Sequence, residues 1–138
     1  MKTIIPSADV MKLYVDNKCP LGNIQKQFNA YYPFLKLEFF TNQLTDKNFF
    51  KAMPLACESV KHMFIKNSEG TINVEKKRTV AEVENDFKSK FGLSAQVFRL
   101  SGNVWIETTL TEDWTLEKQN KEGEQISSHF ITKLPKGI

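Results

Sequence analysis

Several things are scarce in this chain of 138 residues, and each scarcity narrows the options. Only two cysteines occur, Cys19 and Cys57, so a disulfide framework is not expected and both read as reduced thiols. With two histidines as well, the close ligand pairs of a zinc motif are missing. The 6 glycines are dispersed at turns, so no phosphate-cradling loop forms and no cofactor signature appears. No apolar run approaches membrane-spanning length, and the opening Met1-Lys2-Thr3-Ile4-Ile5-Pro6 lacks the apolar core of a secretory signal. A cytoplasmic protein without membrane attachment is expected. The charge excess, +3 from 19 basic and 16 acidic residues, is too small to imply nucleic acid by itself.

What is abundant is phenylalanine, 11 residues in a chain that is 41% hydrophobic. Each buried ring removes a large area from water, which lets a short chain close a core.

Laid over itself, the sequence matches at a shift of 59 positions. Leu13-Tyr14-Val15-Asp16 falls on Ile72-Asn73-Val74-Glu75. Without a gap, Leu21, Ile24, Phe28 and Tyr32 then fall on Val80, Val83, Phe87 and Phe91, followed by Phe34 on Leu93 and Phe39 on Phe98. The first four pairs recur at helical spacing and form one apolar stripe per copy. Thr79-Val80-Ala81-Glu82 has the form of a capping box, and Pro20 suits a first turn. Pro33 and Gly92 mark the helix ends.

After each helix the period changes to two, predicting strands over 34–40 and 95–100, with Ser101-Gly102-Asn103 turning into a strand over 104–109. The stretches 62–66 and 71–75 suggest a further hairpin, with 2–5 and 11–15 as its counterpart. Asp113 is the expected cap of a short helix through Asn120, stopped by Gly123, and 128–133 reads as a last strand. Within 42–61, Asn48-Phe49-Phe50 reads as a degenerate strand and 55–60 as a helical turn.

The expected fold class is therefore α+β, as two divergent repeats spanning residues 1–61 and 62–138. The order in the second half resembles the β-grasp fold of ubiquitin-like domains, on the Thr79-Val80 helix start, the 97–103 strand and turn, and Thr115-Leu116. The chain ends Leu134-Pro135-Lys136-Gly137-Ile138, without the diglycine tail of a covalent modifier. The tandem pattern with Trp114-Thr115-Leu116 also resembles small bacterial proteins to which no activity is attached. The alternative fold is a single ferredoxin-like sheet from two βαβ units. The long stretch between Thr41 and Thr71 argues against it.

Candidate chemistry is thin. Cys57 and His62 are five apart, a spacing that suits neither a helix face nor a strand face, so catalysis is not expected. Trp105 and Trp114 are the candidate interaction residues, the other reading being that both close the bottom of a small core. Alternation sets Trp105 against Val104 and Ile106, and turns it outward if that pair is buried. Lys76, Lys77 and Arg78, with Lys18 and Lys66, make a candidate basic rim near the helix entries. The leading expectation is a non-catalytic module for a protein or peptide partner, with nucleic-acid binding through the rim as the alternative and an enzyme third.

Overall fold

The computed structural model describes residues 11–16, 20–44, 50–54 and 69–132. In chain order the elements are β1 (Lys12–Asp16), α1 (Leu21–Tyr31), β2 (Leu35–Leu44), β3 (Phe50–Pro54), β4 (Glu69–Asn73), α2 (Val80–Phe91), β5 (Ser94–Ser101), β6 (Val104–Glu107) and α3 (Leu116–Thr132). A 3₁₀ turn, Thr109–Thr111, joins the last two. The class is α+β, with two small antiparallel sheets: β1 with β4, and β3-β2-β5-β6.

Both sheets are built across the two halves. β1 pairs with β4, and β2 pairs with β5. In the first ladder Leu13 lies directly opposite Ile72, the residue found 59 positions on. α1 and α2 each pack on a strand of both sheets, α1 on β1 and β2, α2 on β4 and β5, while α3 packs on β5 and β2. The resulting core joins Leu13, Val15, Ile72 and Val74 from the ribbon to Leu35, Leu37, Phe39 and Val97 from the larger sheet. Between them sit Leu21, Ile24 and Phe28 from α1 and Val80, Val83, Phe87 and Phe91 from α2, all buried. The Phe39 and Phe87 rings meet edge-on across the halves, with centroids 5.3 Å apart.

Helix ends follow the expected chemistry in α2. Thr79 Oγ1 accepts from the Glu82 N–H while Glu82 Oε1 accepts from the Thr79 N–H, the reciprocal pair of a capping box. Gly92 ends the helix at φ 72°, a left-handed value that a side chain disfavours. In α1, Pro20 is the residue before the first turn.

Several expectations need correction. The short helix ended by Gly123 and the strand over 128–133 are instead one helix, α3, running to Thr132. Its cap is Thr115, whose Oγ1 accepts from the Lys118 N–H, and not Asp113. Gly123 is glycine because of close packing. A Cβ there would stand 2.9 Å from Phe34 Cβ and 3.2 Å from the Leu100 carbonyl oxygen.

The 59-residue alignment also slips by one after the helices. Leu35, Leu37 and Phe39 face the core in the first half, but Leu93 and Val97 in the second, so Phe98 is not the partner of Phe39. The connection after α1 holds one residue more, and a one-residue shift turns a strand over. The described strands also fall in two sheets, not in a single ferredoxin-like one. Finally, β4 pairs with β1, and the strand over 62–66 lies outside the described residues, as do 2–5, Asn48-Phe49 and 55–60.

Because the two stripes fill one core, Phe28→Ala and Phe87→Ala should each destabilise the whole chain by about 3–5 kcal/mol, in a single transition. Urea denaturation followed by far-UV circular dichroism measures this. An unchanged midpoint for either variant would place its ring outside the core.

Candidate functional site

A strand edge carries unpaired N–H and C=O groups, and the first question is which edges are left open. Most of those next to the helices are closed by side chains. On β1, Gln27 donates to the Tyr14 carbonyl at 2.9 Å and accepts from the Tyr14 N–H at 2.7 Å. The Tyr31 hydroxyl donates to the Lys12 carbonyl. On β4, Lys90 Nζ donates to the Thr71 carbonyl at 3.0 Å, and Arg78 donates to that of Asn73 at 3.2 Å.

In the larger sheet Gln25 donates to the Leu37 carbonyl at 2.9 Å. The Glu84 carboxylate accepts from the Val97 N–H at 2.9 Å, and the Thr108 hydroxyl donates to the Val97 carbonyl. Gln25 and Glu84, Tyr31 and Lys90, and Lys12 and Thr71 are each 59 positions apart, so equivalent places on the two helices close equivalent edges.

β6 is different. Ser101 pairs with Val104 across the Gly102-Asn103 turn, so Leu100 lies opposite Trp105 and Arg99 opposite Ile106. The Leu100 N–H is spent on the Phe34 carbonyl of the neighbouring chain segment, at 2.9 Å. In an antiparallel ladder the Leu100–Trp105 pair is then a non-hydrogen-bonded one, which directs the Trp105 N–H and C=O away from β5. Among the described residues nothing meets them. The side chains there are apolar and exposed: Val104 at 55% and Trp105 at 36%.

Trp105 therefore stands on the sheet face opposite the core, beside Leu100 and Phe98. Lys36 Nζ lies 5.0 Å from the Trp105 ring centre and 5.6 Å from that of Phe98, and is itself 3.2 Å from Glu38. The expectation that Val104 and Ile106 are buried together needs correction, because Val104 sits at the exposed hairpin tip.

Trp114 is half-buried between two cations, with Lys118 Nζ 4.2 Å and the Arg99 guanidinium 5.6 Å from its ring centre. Its carbonyl accepts from the Val80 N–H, which makes it part of the α2 start. The structure does not bring Trp105 and Trp114 into contact.

The basic rim divides. Lys76 and Lys77 are exposed beside a hollow of about 440 Å³ that Glu75 and Glu117 share. Arg78 is engaged: it lies 2.5 Å from Asp86 and 3.8 Å from Glu82. The adjoining helix starts offer an anion little. The Val80 and Ala81 N–H groups go to Trp114 and Glu112, and those of Leu116 and Glu117 go to Arg78 and Lys76. Lys18 and Lys66, Cys57 and His62 lie outside the described residues. Among the described residues no three His, Cys, Asp or Glu side chains converge as metal ligands, and no helix is long and apolar enough to cross a membrane.

The edge-closing glutamate was not visible as special in the sequence, since Glu84 alternates with apolar neighbours like any solvated residue. Burial pushes its carboxyl up to about 7, with the Glu112 charge adding and the Val97 N–H opposing. No family model, curated protein or solved structure matches this chain.

A raised carboxyl means that the folded state holds a proton which the unfolded chain, near the ordinary 4.5, has already released. Stability from this group is complete below about pH 4.5 and falls as pH rises towards 7, by about 1–2 kcal/mol once solvent screening is allowed for. Glu84→Gln keeps an acceptor for Val97 and should remove that fall. Urea midpoints at pH 4.5, 6 and 7.5 test it, and an identical pH profile in the variant would contradict it.

Proposed function

We propose that the chain is a non-catalytic protein-interaction module that receives an extended partner segment along β6. The observation that supports this reading most is the contrast between edges. Gln25, Gln27, Tyr31, Arg78, Glu84 and Lys90 close backbone groups on β1, β2, β4 and β5, while the outward groups of Trp105 have no partner among the described residues. β3 carries Lys51 and Pro54, residue types that discourage pairing. β6 reads Val-Trp-Ile-Glu, with neither. Main-chain bonds to an added strand supply affinity, and exposed aromatic and branched side chains beside it supply specificity.

Descent from one duplicated strand–helix–strand unit belongs to this reading, and the edge contacts repeated at 59 positions support it. Kinship of the second half with ubiquitin-like domains draws support from the capped helix followed by a hairpin. The single long α3, where a short helix and a strand were expected, weighs against it. Nucleic-acid binding remains the alternative, with Lys76 and Lys77, which form no ion pair among the described residues, as its cations; the engaged Arg78 disfavours it.

Trp105→Ala decides between them. It should keep the far-UV spectrum and shift stability by no more than about 0.5 kcal/mol, while lowering partner recovery in a pull-down by tenfold or more. Lys76→Ala/Lys77→Ala should leave recovery unchanged. The reverse pattern, with salt-sensitive retention of single-stranded RNA lost in the lysine variant, would favour nucleic acid.

A further inference from the structure

Resting on the reading of β6 as the receiving edge, we propose that its occupant is β6 of a second copy of this chain, paired antiparallel about a two-fold axis at Trp105. The strand is self-complementary in three respects. Its backbone comes first. The Trp105 N–H and C=O both point outward, so two copies related by a two-fold exchange both bonds reciprocally, forming one closely spaced hydrogen-bonded pair. Glu107, two residues on, directs its own groups the same way, because it lies opposite Phe98 as Trp105 lies opposite Leu100.

The side chains come second. Antiparallel order about Trp105 sets Val104 against Ile106 of the other copy, apolar against apolar, on the face that looks towards the core. Trp105 meets its own copy on the outer face, beside Leu100. The charges come third. The one charged residue of β6, Glu107, falls opposite the neutral Asn103 and not opposite another carboxylate. Lys36, beside Trp105, is already balanced by Glu38. No like charges therefore stand directly across the seam, which in a peptide-binding edge would be a matter of indifference.

Pairing joins the two four-stranded sheets into one of eight strands and covers the exposed faces of Val104 and Trp105. A four-residue seam falls short of the roughly 1,200 Å² of a stable interface, so the association is weak and set by concentration.

Analytical ultracentrifugation of the full chain from about 10 µM to 1 mM should show the mass rising from one copy towards two. Val104→Lys, at an already exposed position, should weaken self-association at least tenfold without changing the circular dichroism spectrum. Position-specific crosslinking tests the register, in a Cys19→Ser/Cys57→Ser background. A cysteine pair on the axis sits about 5.5 Å apart between Cα atoms, within disulfide reach. Trp105→Cys should therefore crosslink to itself under oxidised glutathione, and Val104→Cys should not. A single-copy mass throughout, equal crosslinking at both positions, or undiminished association of Val104→Lys would overturn the proposal. A monomer whose partner recovery still falls in Trp105→Ala would reject the second copy alone; a monomer whose recovery is unaffected would reject the receiving edge as well.

Discussion

The pairing of Leu13 with Ile72 and of Leu37 with Val97 is the constraint on which the rest of the structure depends. Each pair joins a strand of one half to a strand of the other, and each points its side chains at the same core. Among the described residues neither half has a second strand of its own in the ribbon. α1 would present Leu21, Ile24 and Phe28 to half a layer without β4 and β5, and α2 would do the same without β1 and β2. Removing one half therefore exposes most of the other's apolar surface. At about 25 cal/mol per Å² this exposure outweighs any local helix propensity.

That arrangement creates a difficulty which the helices resolve. Two narrow sheets have proportionally many edge groups, and an unpaired backbone group near the core costs about 1–3 kcal/mol. Gln25, Gln27, Tyr31 and Lys90 lie beside the buried stripes and reach sideways to those groups. Glu84 does so as a carboxyl held up to about 7 by burial. A carboxyl at this place couples the sheet to protonation, whereas its counterpart Gln25 makes a similar closure without a titrating group. β6 lies beyond the reach of either helix, on the far side of β5. Among the described residues its edge therefore stays open, for the same geometric reason that groups on β1, β2, β4 and β5 are closed.

The legible parts of the sequence were those whose signal is local. The stripes ending at Tyr32 and Phe91, the capping box at Thr79 and the Gly102 turn all depend on residues within one or two turns of each other. Alternation alone left Trp105 between core and outer face; its pairing opposite Leu100 places it on the outer one. The misread parts depend on distant neighbours. Gly123 looked like a helix stop, yet it sits inside α3 because Phe34 and Leu100 approach its backbone, and no local pattern encodes that approach. Phe98 matched Phe39 in the alignment, but the extra residue at Pro33 turned its strand over. Arg78 looked like a free cation until the fold brought Asp86 beside it. Trp105 was legible as a candidate; that its outward backbone groups have no partner among the described residues, while groups on β1, β4 and β5 do, required the positions of Gln27, Lys90 and Glu84.

Native-state hydrogen exchange tests most directly the claim that the halves share one core. With one shared core, the slowest amides of α1 and α2, with those of Leu37 and Val97, should exchange through one common opening free energy equal to that of global unfolding. Two groups of amides, one per half and each with its own opening free energy, would contradict it.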